Sequence, residues 1–293
     1  MNALQDHLAT GATHLCHCWA VTRLDGVTLG FTDHDLALVF DGIRFAPETG
    51  LNARALASTT GLSVNNTDAI GALSSAAINE ADITAGRYDG AAVRVWLVRW
   101  DDVAQRDLKF AGTLGEITRA KGSFQAELRG LTESLNQPQG RSYLTQCSAV
   151  LGDARCTMRT DDPAYQFSGQ AFAIHDGITF RFAGQGMFND RWFEGGQMQI
   201  TTGAASGLRG NIKSDRLVDG IREIILWDKI RAVVGLGDTL TLTAGCDKKA
   251  DTCRIKFANL VNFQGFPDIP GDDWLVAVPR SDSNLSGQSR RNP

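Results

Sequence analysis

Nowhere in the 293 residues do apolar side chains run for the roughly eighteen positions that a membrane-crossing helix needs. The opening stretch MNALQDHLATGATHLCHCWA also lacks a basic segment followed by an unbroken apolar one, the pattern of a secretory signal. The chain is therefore expected to be made in the cytoplasm and not to insert in a membrane. An excess of positive charge is missing too: the formal net charge is −4 and no basic tract stands out. Such a balance gives no long-range attraction to nucleic acid or anionic lipid, and direct sequence-specific nucleic-acid binding is not expected. Six cysteines are too sparse for a disulfide scaffold of this length, and a reducing cytosol favours free thiols or metal ligands.

Common enzyme signatures are absent as well. There is no glycine-rich phosphate loop ending in Lys-Ser/Thr, no His-Glu-x-x-His and no Gly-x-Ser-x-Gly, and AGQGMF lacks the third glycine of a dinucleotide fingerprint. The glycines of GGQMQITTGAASGLRG (195–210) follow no parallel βαβ pattern and read as a flexible strand and turn. A Cys-His hydrolase would need a nucleophile beside a positioned histidine, and only His7, His14, His17, His34 and His175 exist. His175, in FAIHDGITF, reads as a turn residue between strands. The chain is read as a non-enzyme.

What is present is mostly short strand signal, rich in β-branched and aromatic residues: VRVWLVRW (Val93–Trp100), GITFRF (Gly177–Phe182), REIILW (Arg222–Trp227) and DTLTLTAG (Asp238–Gly245). Two alternating runs around Ala120-Lys121-Gly122-Ser123 predict an antiparallel hairpin. Helices are expected to be few and short: one in NEADITAGRYDG, stopped at Gly86, and a turn or two in LTESLNQP, closed by Pro138. The fold class is therefore mainly β, in more than one compact unit. A boundary is placed where Pro138 and Gly140 interrupt the pattern, giving 1–140 as an N-terminal β-rich region and 141–280 as a C-terminal β-rich domain. Residues 281–293, SDSNLSGQSRRNP with hardly an apolar group, form a tail. Phe257, Phe263, Phe266 and Trp274 read as core plus a proline-pinned turn.

Two constellations carry chemistry. HLCHCW…GFTDHDL gathers His14, Cys16, His17, Cys18, Asp33, His34 and Asp35, types that bind transition metals or move protons, which a metal-dependent enzyme would use. On a strand, however, Cys16 and Cys18 share a face with His14 while His17 points away, so one centre would not use them all. The simpler reading makes the cysteines small core residues and TDHD a turn whose aspartates bond nearby N–H groups. The second constellation is LTQCSAVLGDARCTM with AGCDKKADTC: Cys147 and Cys156 have eight residues between them, Cys246 and Cys253 six. Compact zinc sites usually keep about two to four residues within a pair. Wider gaps make open loops, given backbone freedom by Gly152 and Gly245, that suit a four-thiolate cluster or zinc site; two disulfides or unconnected thiols stay open as alternatives.

CWAVTRLDGVTLGFTDHDLALVFDG, EADITAGRYDGAAVRVWLVRW, LRGLTESLNQPQGR, LGDARC and GCDKKADTCRIKFANLVNFQGFPDIPG together resemble the tail-tip hub family of siphophages and alphaproteobacterial gene transfer agents. The similarity runs from about Leu15 to Gly271 and extends distantly to the tail-tip protein L of phage lambda, whose four cysteines in two open pairs hold a 4Fe-4S cluster. The resemblance implies the same cluster on Cys147, Cys156, Cys246 and Cys253, with zinc as the alternative, stapling the C-terminal domain of a β-rich hub. It assigns Cys16 and Cys18 no role. It further implies a homotrimeric ring in the tail tip or baseplate of the particle, joined to the distal tail protein on one side and the central tip or fibre protein on the other. A soluble iron–sulfur electron-transfer protein would use the same cysteines, but with an exposed, reversibly reduced cofactor.

Overall fold

The strand β1 (Leu15–Thr22) alternates so that Cys16, Cys18 and Ala20 face one way and Trp19 and Val21 the other, and both sets are buried. A strand apolar on both sides belongs inside a sheet covered on both faces. The computed structural model describes residues 3–11, 13–47, 66–69, 78–120, 123–130, 140, 142–184 and 187–269. Within them β1 lies fourth in an eight-stranded sheet with β2 (Thr28–Thr32), β3 (Leu38–Phe40), β4 (Ile43–Pro47), β5 (Asn66–Ala69), β6 (Ala92–Arg99), β7 (Arg106–Ala120) and β8 (Ser123–Gly130). The order is β3-β4-β2-β1-β6-β7-β8-β5, antiparallel except for β2 beside β4. Cys16, Cys18 and Ala20 pack with Phe40, Phe45 and Trp96 on one face; Trp19 and Val21 pack with Phe31, Val93, Val95 and Leu114 on the other. The expected hairpin is β7–β8, with Ala120 paired to Ser123; Lys121 and Gly122 lie outside the described residues.

The helix expected in NEADITAGRYDG is α2 (Glu80–Thr84). The Asn79 side chain accepts from the Ala81 N–H at its start, and Gly86 takes the left-handed conformation (φ 75°) just beyond its end. Beside it Arg23, Asp25, Asp82 and Arg87 form a charged cluster, from which Arg87 donates to the carbonyls of Ala204 and Ser206, in a turn between two strands of the second sheet.

That second sheet has seven strands, all antiparallel. They are β9 (Gln166–Gln170), β10 (Ala173–His175), β11 (Thr179–Ala183), β12 (Gln197–Ile200), β13 (Arg209–Val218), β14 (Ile221–Leu226) and β15 (Thr239–Thr243), in the order β10-β11-β14-β13-β12-β15-β9. The β13–β14 turn is Asp219-Gly220 with φ of 51° and 75°, the left-handed pair a two-residue hairpin requires. The sheet curls around one core, in which Phe167 of β9 meets Phe182 of β11 edge-on. The glycine-rich 195–210 stretch supplies β12 and the turn into β13, and His175 ends β10 where its carbonyl accepts the turn N–H of Ile178. Inside the core the fully buried Arg222 reaches both Asp215 carboxylate oxygens at 2.6 Å and donates to the carbonyls of Phe188 and Asn189, anchoring the loop before β12.

The fold is mainly β, as expected. Three short elements were not legible in the residues: α1 (Ala3–Ala9), α3 (Ala250–Ile255) and a 3-10 turn at Leu260–Asn262. The expected turn in LTESLNQP, most of the proposed boundary around residue 140, Trp274 and the 281–293 tail lie outside the described residues. No helix among the described residues is long and apolar enough to cross a membrane.

Candidate functional site

The two cysteine pairs, about ninety residues apart, line one pocket, together with Lys248, Phe257, Asn259 and Phe263. The first pair rides on a loop organised by Asp153. Its carboxylate accepts the N–H groups of Val150 at 2.9 Å, Arg155 at 2.9 Å and Cys156 at 2.7 Å, which hold it below the usual carboxylate range. Gly152 sits at φ 83°, the conformational freedom expected of it. Gly245 has a different reason: a Cβ there would overlap the Glu194 carbonyl oxygen, so the residue permits close approach rather than an unusual torsion.

The second pair is split between an extended segment after β15, carrying Cys246, and α3, carrying the buried Cys253. The pairs are joined directly by main-chain bonds. Cys147 N–H donates to the Lys248 carbonyl at 2.9 Å and Phe266 N–H to the Leu144 carbonyl at 2.9 Å, while Lys248 Nζ reaches the Ala149 carbonyl. Three non-glycine residues with positive φ flank the cysteines: Thr157 (55°), Lys248 (66°) and Ala258 (48°). Left-handed backbone at ordinary residues persists where surrounding structure requires it, and it concentrates at functional sites.

Nitrogen donors point at the sulfurs. Gln264 N–H donates to Cys147 Sγ at 3.4 Å and Asn259 Nδ2 to Cys156 Sγ at 3.6 Å. Burial pushes the Cys246 thiol up against the pull of Lys248; Cys253 is pushed up by burial and then by Cys246, Cys147 and Cys156. Lys256 donates to the carbonyls of Trp192 and Gly245, lies 4.5 Å from the Trp192 ring centre, and is pushed down to about 8 by burial. None of the six cysteines is in a disulfide. An all-sulfur set with amide donors and lysines is the surrounding that a soft, anionic tetrathiolate centre calls for. Among the described residues no three metal-binding side chains converge closely enough to hold one ion.

The first constellation does not assemble this way. Cys16 and Cys18 are core residues, 5% and 0% exposed; Cys16 Sγ donates to the Val98 carbonyl and Cys18 Sγ to Thr32 Oγ1. His17, on the other face, meets Asp33 at 3.0 Å, while His14 pairs with Asp101 and stacks on Trp100, as does His34. TDHD is a turn, but its capping differs from expectation: Thr32 Oγ1 accepts the His34 N–H, His34 Nδ1 accepts the Leu36 N–H, and Asp33 bonds across the ladder to the His17 N–H. Asp153, Lys248, Lys256, Asn259 and Gln264 were not singled out from sequence. Asp153 was the most accessible, since an aspartate two residues before Arg155 has Asx-turn spacing.

The family described as "Baseplate hub protein, N-terminal attachment domain" matches residues 1–159, and a family described as a phage conserved hypothetical protein matches residues 191–273. A chain in the solved virion of a native gene transfer agent particle is 50% identical, with a TM-score of 0.90 over 99% of both chains. No curated protein matches significantly.

Proposed function

Because the chain belongs to the baseplate hub protein family, we propose that it is a structural ring component of the tail tip of a phage or gene transfer agent particle, stapled by a 4Fe-4S cluster on Cys147, Cys156, Cys246 and Cys253. Residues 1–140 form the N-terminal β-rich hub region, 141–280 the cofactor-stapled domain and 281–293 a tail. The ring is a homotrimer, with the distal tail protein on one side and the central tip or fibre protein on the other. Its role is to connect, and needs no catalytic step.

The hub role is supported by full-length similarity to a chain of an assembled particle. Support for the cluster comes from one observation: four thiols remote in sequence share a pocket with N–H donors aimed at two of them. When bound, the group supplies a rigid cross-link between the two loops, and its binding energy becomes folding energy. The surrounding lobe, 142–165 with 246–269, has few fully buried apolar side chains of its own, chiefly Ala149, Cys253 and Phe257, so a staple replaces a core. Zinc, the alternative, would use the same four thiolates. Purified particles should contain the chain at ring-like copy number, about three per tail if the interface closes under threefold rotation. Its absence from particles, with the chain abundant in the cell, would refute the hub role.

A further inference from the structure

Asn259 touches both cysteine pairs. Its Nδ2 donates to the Cys156 carbonyl at 2.6 Å and Cys156 Sγ at 3.6 Å, its own carbonyl accepts from Cys253 Sγ at 3.3 Å, and its N–H donates to the Cys253 carbonyl at 3.0 Å. Ala258, left-handed at φ 48°, lies three residues beyond the end of α3, just before the residue that faces Cys156. The carboxamide is itself oriented: Asn262 Nδ2 donates to Asn259 Oδ1 at 2.7 Å and to Thr157 Oγ1 at 3.0 Å, which leaves the Asn259 NH2 for the cysteine. Both amides are half-buried, and each bond between them crosses from the 259–262 segment to the 156–157 segment or braces one that does.

We propose that Asn259 is a positioning residue, a carboxamide clasp that fixes Cys156 relative to Cys253 and donates a neutral N–H to the Cys156 sulfur. This rests on the reading of the four cysteines as ligands of one soft centre. An uncharged donor stabilises negative charge on sulfur, so it favours the reduced over the oxidised form of a redox centre bound there. Without it, the Cys156 N–H still donates to Asp153, and Asn262 still holds the neighbouring Thr157. A carboxylate in the same volume would set negative charge against the Cys156 carbonyl and sulfur while keeping the bond from Asn262.

The test compares full-length wild type with Asn259→Leu and the isosteric Asn259→Asp, purified without oxygen and matched for secondary structure by circular dichroism. Iron, zinc and sulfide analysis of the wild type addresses the underlying reading by itself. The clasp is addressed by metal release to a chromophoric chelator and by the midpoint potential; if the wild type holds zinc, cobalt replaces it and the sulfur-to-cobalt charge-transfer band takes the place of the potential. Release at least tenfold faster in both variants, with a more negative potential or a displaced band, is expected. Release and potential, or band, unchanged in a folded Asn259→Asp protein would overturn the clasp while leaving the centre standing. A wild type with no metal of either kind would overturn both.

Discussion

Arg222 and Asp215 are both fully buried, and the guanidinium also holds two loop carbonyls. Removing one partner strands the other charge in the core, so Arg222→Met should cost about 3–5 kcal/mol in urea unfolding, while the double change Arg222→Met/Asp215→Leu should recover part of it. A second residue-scale expectation concerns His17, whose imidazole is raised above its ordinary value by its bond to Asp33. A raised folded value means that the stabilisation from this pair is full below the ordinary imidazole value and fades as pH rises through the folded one. Nuclear magnetic resonance titration of His17 should report that elevation, and Asp33→Asn should lower it; the pair is half exposed, so the effect on stability is small. Cys16→Ser and Cys18→Ser place a hydroxyl in the core between β1 and Phe45 and should cost about 1–3 kcal/mol without altering metal content.

At the scale of elements, the segment joining β15 to α3 depends on Gly245, where the Glu194 carbonyl occupies the space a side chain would need. The Gly245 carbonyl also receives Lys256. Gly245→Ala should therefore destabilise the C-terminal domain by about 3 kcal/mol, the upper end for an overpacked site, and should slow metal uptake measured by the same chelator competition. Elements with a strong period were readable from sequence: β6, β11, β14, β15, the β7–β8 hairpin and α2 each carry their own alternation, cap or turn. The segment around the cysteines was not. ADTCRI is too short to show a helical period, and its N-cap, Lys249, makes no side-chain capping bond, so α3 leaves little local trace. Cys147, Cys156, Cys246 and Cys253 stood out by residue type, whereas Asn259 and Lys248 matter through contacts that span about a hundred residues and that no local pattern encodes.

For the whole molecule, two sheets with separate cores are linked by Arg87 and its carboxylate neighbours, while the cysteine lobe relies on long-range bonds between 142–157 and 246–266. A cross-link that closes such a long loop should govern the lobe as a unit. Cys253→Ser is thus expected to give a colourless, poorly soluble chain that fails to enter particles, and mass spectrometry of purified particles would detect its absence. Iron and acid-labile sulfide, assayed on wild-type protein purified without oxygen, test the stapled hub most directly. About four irons and four sulfides per chain, lost together in Cys253→Ser, are expected for a single cubane on four thiolates. One zinc with no sulfide, or full iron content retained in Cys253→Ser, would contradict it.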